Sequence, residues 1–231
     1  MNEKILDKNL LRIIKIKMST ENINDIDSIE DISIQDMNLA QKKLNIDLTE
    51  IVKLKNLKSL SLKFFEITDE IVEVINQLKS LEIVEFSMCT FKTKKELNKN
   101  LKSIIIYNCQ EFDTNIIKND IMLEELQIIH SGMIDIADII LFKRLRYLKL
   151  AHCNVISIQS LVNFENLERL YLNHVELYYD LNISQMHNLK FISLSGSNVQ
   201  DKEKYIENIY EQNKLIEIEF YENDFPIEEF S

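Results

Sequence analysis

The sequence predicts an α/β solenoid: a curved right-handed superhelix with a parallel β-sheet on its concave face and short helical or 3-10 returns on its convex face. Three observations point there. Segments of the 231-residue chain start in phase at Leu57, Leu81, Leu101, Leu123, Leu145, Leu167 and Leu189, in steps of 24, 20, 22, 22, 22 and 22. Each is apolar at its first, fourth and sixth places, so alternate side chains enter a core from an extended strand. Turn formers are scarce, with 2 Gly and 1 Pro, which argues against a sandwich of hairpins. One coil cannot bury its own apolar side, but a stack of coils can.

Taken in chain order, residues 1–50 read as irregular first coils and a cap. Weaker copies of the pattern appear there as LRIIKI from Leu11 and IEDISIQDMNL from Ile29. Residues 40–56 are expected to form a longer return helix, with Leu44, Ile46, Leu48, Ile51 and Leu54 facing inward. Residues 51–200 hold the regular coils. The coil from Leu145 continues through Val155, Ile158, Leu161 and Phe164, an apolar residue about every third position, as a short helical return requires. Residues 201–231 form a terminal capping coil. Within it Tyr205, Ile206, Ile209 and Tyr210 fall at helical spacing over 201–213, a last strand follows at 215–221, and Pro226 ends the regular structure. No linker or low-complexity stretch divides the chain, so residues 1–231 are expected to be a single domain.

The segments LRYLKLAHCNV, LERLYLNHVEL and LKFISLSGSNV carry the pattern LxxLxLxxN/CxL or come close to it. The chain thus resembles the leucine-rich repeat family, in its 22-residue intracellular subclass. The resemblance implies a buried ladder at the ninth place, filled by Asn or Cys. Cys89, Cys109 and Cys153 all stand there. Phe65, Ser131, Val175 and Ser197 depart from it, which predicts an incomplete ladder that leaves backbone groups unsatisfied. Cys89 and Cys109 lie on adjacent coils, where a disulfide is geometrically conceivable. Small intracellular proteins of this kind resemble regulatory or inhibitory subunits.

Charge and composition narrow the function. The chain carries 27 basic and 38 acidic residues, a formal net charge of −11, with a pI near 5.0. Such a chain repels nucleic acid and anionic lipid, and favours a partner with a neutral or basic surface. No run of apolar residues is long enough for a membrane span, and charges break the opening segment where a signal peptide would be apolar. An odd number of cysteines suits a reducing compartment, which argues against the disulfide and gives a cytoplasmic expectation. Gly132 and Gly196 stand too far apart for a phosphate-cradling loop, so no cofactor is expected. No CxxC pair suggests zinc, no motif places a nucleophile beside a base, and an open groove is poor at stabilising charge in a transition state.

Two sets of side chains stand out. The third, fifth and seventh places of each strand should face outward on the concave sheet. They include Ile105, Tyr107, Glu125, Ile129, Tyr147, Lys149, Arg169, Tyr171 and Phe191, an aromatic and aliphatic set with charges among it. Tyr, Arg and aliphatic neighbours are the usual anchors of protein interfaces, although such rings also stabilise a sheet by stacking across strands. His130, His152 and His174 all occupy the eighth place, which predicts a column of imidazoles just past the strands. The column is either a surface residue carried along by duplication, a partner contact sensitive to pH between 7 and 5.5, or a metal site. The reading that follows is a non-catalytic, monomeric scaffold that binds a partner protein on its concave sheet, as an inhibitor or immunity subunit of a basic enzyme or toxin. One alternative is a metal-dependent enzyme or metal-binding protein using the histidine column. Another is a structural protein that self-assembles through its ends. The acidic stretch 217–231 reads as a solvated cap or a dock for basic surface. Lys92, Lys94, Lys95, Lys99 and Lys102 lie in and just after a convex return, with no interleaved aromatics.

Overall fold

The computed structural model describes residues 7–37, 42–97, 101–118 and 122–221. They fall into two compact units, Met1–Asp120 and Ile121–Ser231. The expectations for Lys99 and Pro226, and for the acidic stretch beyond Tyr221, lie outside the described residues.

The first unit opens with a helix, α1 (Lys8–Thr20). The sequence reading put a coil strand at LRIIKI; the structure makes it part of this helix. Leu10, Ile14 and Met18 recur every fourth residue and are buried, a helical rather than a two-residue period. Asp7 caps the start, its carboxylate accepting from the Leu10 backbone N–H at 2.7 Å. Lys17 ties α1 to the first strand through Asp31 at 2.7 Å. That strand and the next three, β1 (Asp31–Gln35), β2 (Ser59–Lys63), β3 (Ile83–Ser87) and β4 (Ser103–Tyr107), are parallel and in register, each paired with the next.

The expected helix over 40–56 is not formed. Ile46 and Leu48 are buried in alternation along an irregular segment that contains the left-handed Asn45 (φ 51°), and only Thr49–Lys53 forms a helix, of 3-10 type. The buried Asp36 carboxylate accepts from the Ile46 backbone N–H at 3.0 Å, and Met37 and Lys43 form an antiparallel bridge. These bonds hold the backbone out of the helix that the spacing of Leu44, Ile51 and Leu54 alone would favour.

The second unit repeats the scheme with β5 (Glu125–Ile129), β6 (Tyr147–Ala151), β7 (Arg169–Asn173), β8 (Phe191–Ser193) and β9 (Glu217–Glu219), again parallel. From Leu57 onward the two longest intervals carry the α-helical returns. The 24-residue step from Leu57 and the 26-residue interval from Leu189 to Leu215 have room for α-helices, α2 (Asp69–Gln77) and α3 (Lys202–Gln212). The 22-residue steps from Leu101, Leu123 and Leu145 close with 3-10 turns at Thr114–Ile116, Ile136–Ile139 and Ile158–Asn163. In α3, Tyr205 and Ile209 enter the core, as expected, while Tyr210 is exposed.

Two side-chain ladders hold coil to coil. Cys89, Cys109 and Cys153 are buried, and each thiol donates to the carbonyl two residues back and to one in the preceding coil, for example Cys109 to Phe86 O at 3.3 Å and Tyr107 O at 3.4 Å. The ladder is fuller than its composition suggests. The Ser131 hydroxyl donates to Ile129 O at 2.8 Å, and the Ser197 hydroxyl donates to Leu172 O while accepting from Val175 N. A small hydroxyl at the ninth place does the work of Asn or Cys, so only Phe65 and Val175 leave it apolar. A second set stands one residue before four of the coil starts: Asn56, Ser80, Asn166 and Asn188 donate to the carbonyls of Asp27, Lys55, Lys143 and Glu165 in the coil before.

Candidate functional site

In the second unit the outward strand places form two rows. Register sets Glu125, Tyr147, Arg169, Phe191 and Glu217 side by side, and beside them Gln127, Lys149, Tyr171, Ser193 and Glu219. The aromatic residues alternate between rows, so they meet diagonally. Tyr147 and Tyr171 rings lie 5.1 Å apart at 33°, and Tyr171 and Phe191 lie 5.1 Å apart at 41°. The Arg169 guanidinium covers both neighbours, 5.6 Å from the Tyr171 centroid and 5.1 Å from that of Phe191, and donates to the Tyr171 hydroxyl at 2.5 Å. Lys149 stands over Tyr171 at 5.9 Å. The result is a continuous plate of three half-buried rings with two cations on it and carboxylates at both ends. Burial pushes the Tyr147 hydroxyl well above its ordinary range, reinforced by Tyr171 and Glu125 beside it.

Other expected site residues are placed differently. Glu125 is half-buried and accepts from Gln127 at 2.6 Å, so its charge is partly engaged within its own strand. Ile129 does not face the open surface as expected: it is only 7% exposed. Its counterparts at the seventh place, Ser87 and Ala151, are covered too. That place is the margin of the face, where the chain turns out of the strand. Ile105 and Tyr107 belong to the first unit, where both are half-buried on the outward side of β4.

The histidine column forms, and the backbone explains it. The eighth place of every regular coil is left-handed: Phe64, Met88, Asn108, His130, His152, His174 and Gly196 have φ between 49° and 67°. Asn, His and Gly tolerate that conformation better than most residues. The rings stack face to face, His130 on His152 at 4.1 Å and His152 on His174 at 4.0 Å, each pair 11° from parallel. The stack ends on Gly196, where a Cβ would stand 2.2 Å from His174 Cε1. Parallel rings at this spacing point their nitrogens along separate planes and cannot converge on one ion. Among the described residues no group of three His, Cys, Asp or Glu is arranged to hold a metal. The metal reading of the column therefore has no geometric support.

The sequence reading missed a third column. The second places read Glu30, Lys58, Glu82 and Lys102 in the first unit, then Glu124, Arg146, Glu168 and Lys190 in the second, so the sign alternates without exception. Lys58 pairs with Glu30 and Lys102 with Glu82, each at 2.8 Å. Glu168 binds Arg146 at 2.5 Å and Lys190 at 3.2 Å, and these hydrogen bonds hold its carboxyl below the usual range. Reading the second places down the coils, rather than along the chain, would have found it.

No protein-family model matches the sequence, and no curated protein matches it. Solved structures do. Internalin C2 of Listeria monocytogenes is similar over 93% of this chain and 93% of its own, with a TM-score of 0.66 and 18% identity. An internalin named InlF from the same organism has a TM-score of 0.56 at 23% identity, over 77% of this chain and 52% of that one. InlP of Listeria monocytogenes has a TM-score of 0.51 at 14% identity, over 83% of this chain and 64% of that one. Likeness at these identities concerns the fold, and the fold is that of leucine-rich repeat proteins.

Proposed function

We propose that this leucine-rich repeat chain is a non-catalytic scaffold that binds a partner protein through the outward strand face of its second unit. The observation that carries the proposal is the Tyr147–Tyr171–Phe191 plate with Arg169 upon it. Rigid aromatic side chains offer large contact area at small conformational cost, and guanidinium and ring faces are common anchors of binding energy. Stacking within the sheet accounts for part of the arrangement, yet the three rings and the two cations over them remain partly exposed on the strand face, within reach of a second protein. A net charge of −11 and the carboxylates of Glu217 and Glu219 beside the plate favour a basic partner surface. An inhibitor or immunity subunit of a basic enzyme or toxin, acting as a monomer in the cytoplasm, is the form of scaffold that this charge suits. At no point among the described residues is a helix long and apolar enough to cross a membrane.

The test compares the wild type with a Tyr147→Ala, Tyr171→Glu double variant in affinity capture from native lysate, with mass spectrometry of what is bound. A partner held by the wild type should be lost, and its affinity should fall at least tenfold. The variant should remain folded, losing about 1–2 kcal/mol with the ring and cation contacts. Capture of the same protein by both chains with equal affinity would place the interface elsewhere.

A further inference from the structure

The structure assigns Cys89 and Cys109 as a disulfide-forming pair, oxidised by a hydroperoxide into a bond that joins two successive coils of the first unit. The inference is independent of the partner-binding face, which lies in the second unit. Parallel register between β3 and β4 aligns Ser87 with Tyr107, and the alignment persists beyond the strands: the Gln110 N–H donates to Cys89 O at 2.9 Å, and Thr90 bridges Gln110. The two cysteines therefore stand opposite each other just past the ends of neighbouring strands, where the Gln110–Cys89 bond keeps the two backbones near the strand spacing of about 4.8 Å, within the range of Cα separations that a disulfide spans. Both are reduced thiols, buried in the same ladder and within hydrogen-bonding reach of each other. Contact between the two sulfurs lowers the pKa of Cys89, while the same contact and burial push the Cys109 thiol up, so the attack is assigned to Cys89.

Cys153 supplies an internal control. Its neighbours at the ninth place are Ser131 and Val175, so the same ladder gives it no thiol to meet. The chemistry balances in two steps. The Cys89 thiolate attacks one oxygen of the hydroperoxide, the O–O bond breaks, and Cys89 becomes a sulfenic acid as the other oxygen leaves and takes up a proton. The Cys109 sulfur then attacks the Cys89 sulfur, expelling hydroxide, which leaves as water with the Cys109 proton. Two thiols are oxidised to one disulfide, and one hydroperoxide is reduced to one alcohol and one water, or to two waters when it is hydrogen peroxide. Low exposure of both sulfurs limits the reaction to small oxidants and makes it slow. It also protects the sulfenic acid from over-oxidation until Cys109 resolves it.

Treatment of the full chain with hydrogen peroxide, followed by alkylation and peptide mapping without reduction, tests the assignment. One cross-linked peptide pair joining Cys89 to Cys109 is expected, lighter by two hydrogen atoms, with Cys153 still alkylated and the bond reversed by dithiothreitol. In Cys109→Ser, dimedone should label Cys89 and no cross-link should form; in Cys89→Ser, neither should appear. Circular dichroism of both variants checks that they fold. Three intact thiols under conditions that oxidise a model peptide thiol would overturn the assignment, as would cross-linking through Cys153 or between chains.

Discussion

At Gly196 a missing side chain is used twice. Its φ of 67° is strained for any residue with a Cβ, and the His174 ring occupies the space that a Cβ would need. Gly196→Ala should cost roughly 2 kcal/mol in urea unfolding, from left-handed strain together with displacement of the ring. Met88 shares the backbone conformation but is exposed, so Met88→Gly should stabilise by about 1 kcal/mol. Met88→Gly reports the backbone strain alone, so the excess in size of the Gly196→Ala effect measures displacement of the ring. Part of this was legible in advance: the 22-residue spacing of the histidines announced a column. The left-handed turn beneath it was not, because Phe64, Met88, Asn108 and three histidines share no local preference strong enough to reveal it. Ile129 misled for a related reason. Alternation gives the side of the sheet, but it does not tell where the face ends and the turn begins to cover it.

Elements were legible where period and length agreed. The helix expected over 201–213 forms as α3, whereas α2 was not singled out from the sequence. The reading failed where two periods competed. LRIIKI satisfies the strand pattern, but its neighbours Leu10, Ile14 and Met18 satisfy the helical one over a longer stretch and prevail. Over 42–48 neither period prevails, and the bond from Ile46 to the buried Asp36 carboxylate helps to hold the chain out of a helix. The charge column joins elements in the same way. The carboxyl of Glu168 is depressed in the folded state, so its contribution to stability is present above the ordinary carboxylate range and lost as pH falls through the folded value. Glu168→Gln should therefore be less stable than wild type near pH 7. The gap should close on titration below about pH 4 and shrink in high salt, as urea midpoints would show.

For the whole molecule, the repeat made the architecture readable, while the candidate site was only half so. Tyr147, Tyr171 and Phe191 were placed on one face by phase alone. That Arg169 would lie over two of the rings depends on rotamers that no period encodes. The exposed plate and the acidic surface belong to the same reading: rings supply area, and the net charge selects among partners and speeds their approach at low salt.

Alternation of sign at the second place has a consequence for how such a chain can lengthen or shorten. Excising residues 145–166 would set Glu124 against Glu168, two anions where an anion and a cation now meet; excising 145–188 would set Glu124 against Lys190 and restore attraction. The first deletion should gain stability as salt is raised, and the second should not, in thermal melts run side by side. Growth by duplication faces the same arithmetic of parity, so a sequence of this kind is free to add or shed its turns in twos and resists doing so singly.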